Sequence, residues 1–263
     1  MNDPVRDEAE EAEVLVVGGG MVGLAAAIEL GLRGVRTLVV EQATAIADEG
    51  SRASLLSARS MEHFRRWGIA EREREAALLP DDWPTKVCFA TSLTGHELAS
   101  LPTYQVTGGA AGNIASEDGA RVPQFQTLRV LEEAARAHPS VRVERGWRCV
   151  SLSQHSDCVE ALLEPIAGGP ARKVRASFLI GADGGRGMVR EAVGISYEGR
   201  ADIGRYTHVS FTAPALIGAL EISQATTYIL VSPGSPAIVR WISAIAGAPC
   251  PHRTVMDKKR PGG

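Results

Sequence analysis

The sequence lacks a strong net charge, a long apolar run and any clustering of its cysteines, and each absence removes a class of function. Its 28 basic and 31 acidic side chains leave a net charge of -3. The basic residues are spread along the chain, so no footprint for nucleic acid is present. The longest apolar runs, residues 14–17 and 21–28, are broken by glycine and fall short of the roughly 20 residues that span a bilayer, so no membrane role is expected. Residues 1–13 carry six acidic side chains and no apolar segment, which excludes a secretory signal and marks 1–12 as a disordered leader. Cys88, Cys149, Cys158 and Cys250 form no CxxC and no Cys/His cluster. No metal site is expected, and the thiols are read as reduced, in a cytoplasmic protein. The histidines His63, His96, His138, His155, His208 and His252 show no partner spacing, and no Ser/His/Asp triad or paired carboxylate stands out. No catalytic residue is assigned, and oligomeric state is not legible.

What is there is a chain of 263 residues, 44% apolar and 22% charged, long enough for one large domain or two modest ones. Val14, Leu15, Val16 and Val17 form a continuously apolar run, as a strand buried on both faces of a parallel sheet requires. A glycine turn, an Ala/Leu-rich helix stopped by Gly34, and a strand over 36–40 complete a β-α-β unit. Its right-handed crossover makes the two strands parallel. Further along, 57–68 predicts a helix, 87–101 a strand pair about Thr94-Gly95, and 128–138 a helix ended by Pro139. Strands are expected over 141–150, 158–165, 174–180, 207–212, 226–231 and 238–242, followed by a disordered tail over 249–263.

Gly18-Gly19-Gly20-Met21-Val22-Gly23 is a GxGxxG, a pattern that means little without context. Here it follows a strand, opens a helix and is trailed by Glu41 at the end of the next strand, as a dinucleotide site requires. Gly18 permits the tight turn, Gly20 lets the backbone approach a pyrophosphate and Gly23 lets the helix pack against the strand. The helix start offers N–H groups and partial positive charge to phosphates. Glu41 accepts hydrogen bonds from ribose hydroxyls and repels a 2′-phosphate, which favours FAD or NAD over NADP at this turn.

A second motif separates FAD from NAD. Gly181-Ala182-Asp183-Gly184-Gly185-Arg186-Gly187-Met188-Val189-Arg190, fed by a strand, is similar to the GADG motif of class A flavoprotein monooxygenases, the FAD-dependent aromatic-ring hydroxylases of phenol and polyketide type. Arg52-Ala53-Ser54 with the helix after it, and Pro123-Gln124, resemble further segments of that family, and the likeness is dense over about 14–199. The resemblance implies an α/β fold: a Rossmann-like FAD-binding domain over 13–85 and 119–199, with a partial β-rich (α+β) substrate domain over 86–118 and 200–248. It implies a cofactor set of Gly18, Gly20, Met21, Val22, Gly23, Glu41, Gln42, Arg52, Gln124 and Asp183. Arg52 would touch the phosphate or ribose, which suits a guanidinium's fixed donors. Gln124 would reach the ribityl side, and Asp183 the pyrophosphate and ribityl chain. Arg59 divides evenly between a flavin contact and a solvated helix arginine.

In that family FAD takes a hydride from NAD(P)H, O2 adds to the reduced flavin as a hydroperoxide, and its outer oxygen attacks an electron-rich ring. A small-molecule aromatic substrate is the implied partner. Three departures stand against the pattern: Gly187 where serine is usual, Gln42 where a basic residue is frequent, and no downstream Gly-Asp run followed by two alanines and a histidine. The last reads as a C-terminally truncated chain, with apolar surface left exposed. Two other readings stay open, a catalytically incompetent FAD-binding fragment and an NAD-dependent dehydrogenase. The dehydrogenase leaves Gly181 to Arg190 unexplained.

Overall fold

The computed structural model describes residues 9–47, 53–80, 82–102, 115–200, 206–234, 236–242 and 253–259. In chain order its elements are β1 (Glu10–Val17), α1 (Met21–Gly31), β2 (Thr37–Glu41), α2 (Ala58–Arg66), α3 (Ala70–Glu75), β3 (Lys86–Ala90), β4 (Glu97–Pro102), α4 (Gln124–Arg136), β5 (Val141–Arg145), β6 (Trp147–Gln154), β7 (Val159–Pro165), β8 (Arg172–Gly181), α5 (Met188–Ala192), β9 (Tyr206–Thr212), β10 (Thr227–Leu230), β11 (Ala237–Trp241) and β12 (Arg253–Lys259). The chain divides into two units, residues 1–46 with 128–199, and residues 47–127 with 200–263. Residues 47–85 and 119–127, expected in the nucleotide-binding domain, fall in the second unit. Leu56 and Ala120 exchange backbone hydrogen bonds of 2.8 and 3.1 Å and the Gln124 N–H donates to Ala53 O at 2.9 Å, which joins the two segments to each other, and the Thr226 hydroxyl donates to Pro84 O at 2.6 Å, which ties them to the rest of unit 2.

Unit 1 is built on a sheet of order β5-β2-β1-β8-β7-β6. The first four strands run parallel, β7 pairs antiparallel with β8, and β6 pairs antiparallel with β7. The run Val14 to Val17 lies at the centre of this sheet and is at most 6% exposed. On one face α1 packs with Leu24, Ala27 and Ile28 inward, the i, i+3, i+4 spacing of a helix stripe. On the other face Leu15, Val17, Leu38 and Val40 join Cys149, Leu163, Val174 and Ala176. Each fully buried Val or Leu side chain contributes roughly 1.5–3 kcal/mol. Glu132 on α4 is clamped by two guanidiniums, Arg136 at 2.9 Å and Arg145 at 2.5 Å. Burial alone would raise its carboxyl; the two arginines outweigh that and hold it below the usual range.

Several boundaries differ from expectation. β1 starts at Glu10, inside the segment read as a disordered leader, because Glu10 pairs in register with Val174 and its carboxylate meets Arg172 at 3.0 Å and Arg142. The single strand over 141–150 is two, broken at Gly146, since β5 follows β2 in parallel whereas β6 pairs back on β7. α3 and α5 carry no apolar periodicity that would have announced them. In unit 1 an open groove of about 1040 Å³ is lined in part by Phe178, Val193, Ile195 and Tyr197, each more than half exposed.

Unit 2 holds a second sheet, of order β4-β3-β10-β11-β12-β9, with only β3 and β10 parallel. β12 lies within the tail expected to be disordered, paired to β11 on one side and β9 on the other. The core beside this sheet gathers Trp83, Cys88, Tyr228, Val239 and Trp241, with Trp83 and Trp241 edge to face at 5.4 Å. Among the described residues no helix is long and apolar enough to cross a membrane.

Glu73 on α3 is fully buried. Its Oε1 accepts from the Thr127 hydroxyl at 2.5 Å, and its Oε2 has no partner among the described residues. Lost hydration pushes this carboxyl up to about 7, against a smaller downward pull from Thr127. The folded chain therefore holds a proton that the unfolded chain releases near the ordinary value of 4.5. The stabilisation is complete below that pH and lost as pH rises through about 7. We expect urea unfolding from pH 4.5 to pH 8 to show the wild type losing about 3 kcal/mol relative to Glu73→Gln. Parallel curves for the two proteins would remove Glu73 as the cause.

Candidate functional site

The carboxyl end of β1 is fixed by two hydrogen bonds, Gly18 N–H to Val40 O at 2.8 Å and Ala182 N–H to Val17 O at 2.7 Å. The glycine turn is thereby held between β2 and the segment that follows β8. Gly18 sits at φ +108°, where L side chains rarely go, and a Cβ there would lie 2.3 Å from Ala182 O. A Cβ on Gly23 would fall 1.9 Å from Gly18 O and 3.2 Å from Val16 Cγ1, so α1 is seated on the turn as much as on the strand. Gly20 differs from both. It is the N-cap of α1 with φ -79° and ψ -174°, and a Cβ added to it would meet nothing within 4 Å. The first bond of the helix runs from Leu24 N–H to Gly20 O at 2.9 Å. Met21, Val22 and Gly23 therefore carry the unpaired N–H groups of a helix start, with no side-chain cap and no acidic residue in the first turn. This is an uncompensated positive end facing open space, the arrangement that attracts a phosphate.

Glu41 stands beside the turn. Its Oε2 accepts from Gly19 N–H and its Oε1 from Ala43 N–H, both at 2.8 Å, which fixes the carboxylate and leaves each oxygen a second lone pair. Gly19 had no role in the sequence reading, yet a Cβ on it would lie 2.8 Å from Glu41 Cβ. Gln42 follows β2 on the surface. Across the turn, Asp183 Oδ2 accepts from Val189 N–H at 3.0 Å at the start of α5. A Cβ on Gly187 would come within 2.0 Å of Asp183 Oδ1, so the carboxylate occupies the room that a side chain at 187 would need. Burial first, and the Asp183 charge second, push the Cys149 thiol up to about 11, which keeps it protonated and unreactive.

The structure thus brings Gly18, Gly19, Gly20, Gly23, Glu41 and Asp183 together in unit 1. Gln124 opens α4 in unit 2, held by its backbone bond to Ala53. Arg52 lies outside the described residues. Arg59 is exposed on α2 and pairs with Glu62 at 3.1 Å, in keeping with a solvated helix arginine. No group of three or more metal-binding side chains is found among the described residues.

Residues 11–258 match the FAD binding domain family. The chain belongs to that family. Over 204 residues it is 35% identical to the 3-(3-hydroxy-phenyl)propionate/3-hydroxycinnamic acid hydroxylase of Paraburkholderia xenovorans, covering 76% of this chain and 30% of that protein. Over 230 residues it is 33% identical to aklavinone 12-hydroxylase of Streptomyces purpurascens, covering 85% of this chain and 42% of that one. Its fold superposes on aklavinone-11 hydroxylase, solved as a ternary complex with FAD and aklavinone, with a TM-score of 0.84 and 28% identity over 99% of this chain and 47% of that one. The chain therefore spans less than half the length of these relatives. Membership of the family leaves the NAD-dependent dehydrogenase reading without support.

The glycines should separate by what surrounds them. Gly18→Ala combines a disfavoured φ with backbone overlap, and Gly23→Ala drives a Cβ into Gly18 O, so each should lower the unfolding free energy by about 2 kcal/mol or more. Gly20→Ser has room and supplies a preferred N-cap, and should hold or slightly raise it. Chemical denaturation of the three variants tests the order, and a Gly20→Ser chain as unstable as the other two would contradict it.

Proposed function

We propose that this chain binds FAD through unit 1 and serves as the FAD-binding part of a monooxygenase that uses NAD(P)H and O2 to hydroxylate a small aromatic or related organic molecule. The observation that carries the reading is the uncapped start of α1, open above Gly20, with the fixed carboxylate of Glu41 beside it. Its donors fit a pyrophosphate: the N–H groups of Met21 and Val22 would hold one, and the absent Cβ of Gly20 leaves it room to approach. Glu41 would accept from the ribose hydroxyls and disfavour a 2′-phosphate. Gln42 lies next to it, at the rim of the adenosine side. Asp183, held by α5, would set the pyrophosphate and ribityl side, with Arg52 on the phosphate or ribose and Gln124 on the ribityl chain. Bound FAD would supply the redox chemistry, accepting a hydride from NAD(P)H and reducing O2 for transfer of one oxygen atom. The chain's own share is to bind, orient and shield that group, which needs no nucleophile. Supporting this substrate class are the hydroxylases named above, all of which are named for aromatic or polyketide compounds. A cytoplasmic setting accords with Cys88, Cys149 and Cys158, which are buried free thiols.

The share of its relatives' length that the chain spans favours a second reading, in which it retains FAD but does not turn over by itself. One experiment addresses both. The purified chain, mixed with FAD and passed through a desalting column, should keep the visible flavin absorbance, and Gly20→Ser should lose at least tenfold in FAD affinity while staying folded, because a serine cap takes the donors that phosphates need. Equal retention by the two proteins would overturn the assigned cradle. Given retention, consumption of NADH or NADPH above the free-FAD rate supports the monooxygenase reading, and a background rate supports the second.

A further inference from the structure

Glu73 and Thr127 form a buried polar pair to which the nucleotide reading gives no part. Both side chains are shut off from solvent, one on α3 and the other on the first turn of α4, and the Thr127 hydroxyl donates to Glu73 Oε1 at 2.5 Å. The second carboxyl oxygen is buried with no partner among the described residues. Thr127 lies one turn after Gln124, so the two stand on one face of α4. The backbone of that turn is tied by Gln124 N–H to Ala53 O at 2.9 Å, and by Gln126 and Thr127 N–H to Pro123 O. The Glu73 bond therefore joins α3 to the turn that carries Gln124.

Charge does not help Glu73. α2, which packs on α3, carries Arg59, Glu62, His63, Arg65 and Arg66. α3 itself adds Glu71, Arg72, Arg74 and Glu75, and α4 adds Arg129, Glu132, Glu133 and Arg136. None of these charges acts on the Glu73 carboxyl, which burial raises and Thr127 alone opposes. Several are engaged elsewhere: Arg59 with Glu62, Arg65 with Glu117, and Arg74 with Glu71 and Glu117. A carboxylate with one hydroxyl donor and a bare second oxygen is costly away from water, whereas the neutral acid loses much less. Ionised Glu73 regains hydration only if α3 parts from α4, and the Thr127 bond goes with it. α3 has six residues and no side-chain cap at its start, so such an opening is local.

We propose that the Glu73–Thr127 bond positions Gln124 for the ribityl side of the flavin, with the neutral carboxyl as its working form. This role rests on the FAD reading above and adds a pH dependence to it. FAD that needs the closed turn holds the proton on Glu73. Its affinity is therefore highest below the range in which the buried carboxyl titrates, about 7, and falls as pH rises through it.

The test is fluorescence titration of the full chain with FAD at pH 6 and pH 8.5, with circular dichroism to compare folded chains at both. The wild type should bind at least fivefold more weakly at pH 8.5. Glu73→Gln, which keeps an acceptor for Thr127 and cannot ionise, should bind within twofold at the two pH values. Thr127→Val should lose at least threefold at pH 6, and Thr127→Ser, which restores the hydroxyl, should bind as the wild type does. Glu73→Gln carries the test if Thr127→Val does not fold. In the chain without FAD, amide hydrogen exchange over residues 124–127, corrected for its chemical rate, should quicken at least fivefold at pH 8.5 in the wild type and not in Glu73→Gln. FAD binding with one pH profile in wild type and Glu73→Gln, or unchanged exchange in the wild type, would overturn the positioning role and leave the FAD reading standing. No FAD binding at pH 6 would overturn both.

Discussion

The parallel pairing of β1 with β8 is the constraint on which unit 1 depends. The register sets Val17 opposite Gly181, so the two strands end level and the loops that follow them leave the sheet side by side. One is the glycine turn and the other holds Asp183. They meet through the Ala182 bond to Val17 and through a contact at Gly18 so close that no side chain fits there. Ligands of open α/β sheets gather outside the carboxyl ends of the parallel strands. The sheet order puts β2, with Glu41 at its end, on the other side of β1, so the three strand ends deliver all three chemical elements of the candidate cradle.

How much of this was legible follows from how local each feature is. The β1-α1-β2 unit shows in the sequence because its signals sit within one stretch: a four-residue apolar run, glycines at helix-start spacing, an acid at the next strand end. The roles of Gly19 and Gly187 do not show, because each is decided by a carboxylate distant in the chain or folded back on it. β12 was unreadable for a different reason. Its sequence, Arg253 to Lys259, is mostly polar, and it is a strand because β9 and β11 offer edges on both sides. α3, rich in Glu and Arg, has helix propensity without a stripe to reveal it, and its buried members are Ala70 and the charged Glu73. The pairing of Glu73 with Thr127 has no local signature at all, since the two come from separated segments.

Three ionisable groups show three ways in which this chain handles charge away from water. Glu132 is met by two guanidinium forks, and the result is a carboxyl held below its usual range in spite of burial. Glu73 has a single hydroxyl donor, which is too little to offset lost hydration, and the carboxyl rises. Arg121, half-buried and with no counter-charge among the described residues, moves the other way, as a cation that loses hydration should. The direction in each case follows the number and charge of the partners more than the depth of burial. Glu132 is fully supplied by α4 and β5, so its pairing is complete within the fold. Glu73 and Arg121, both in unit 2, are the groups whose environment the fold leaves incomplete.

Gly187 shows why a departure from a family pattern need not mean a lost site. A serine at the start of a helix accepts hydrogen bonds from its first free N–H groups, and glycine cannot. In this chain the Asp183 carboxylate accepts from Val189 N–H, the bond that a side chain at 187 would have made, and fills the volume that such a side chain would have taken. The two positions therefore form one unit: glycine at 187 is what allows Asp183 to lie against α5, and Asp183 is what leaves α5 capped without a serine. The same bond holds the aspartate's orientation beside the glycine turn, so the departure at 187 is, in the folded chain, a condition for the motif's acidic residue to be fixed there.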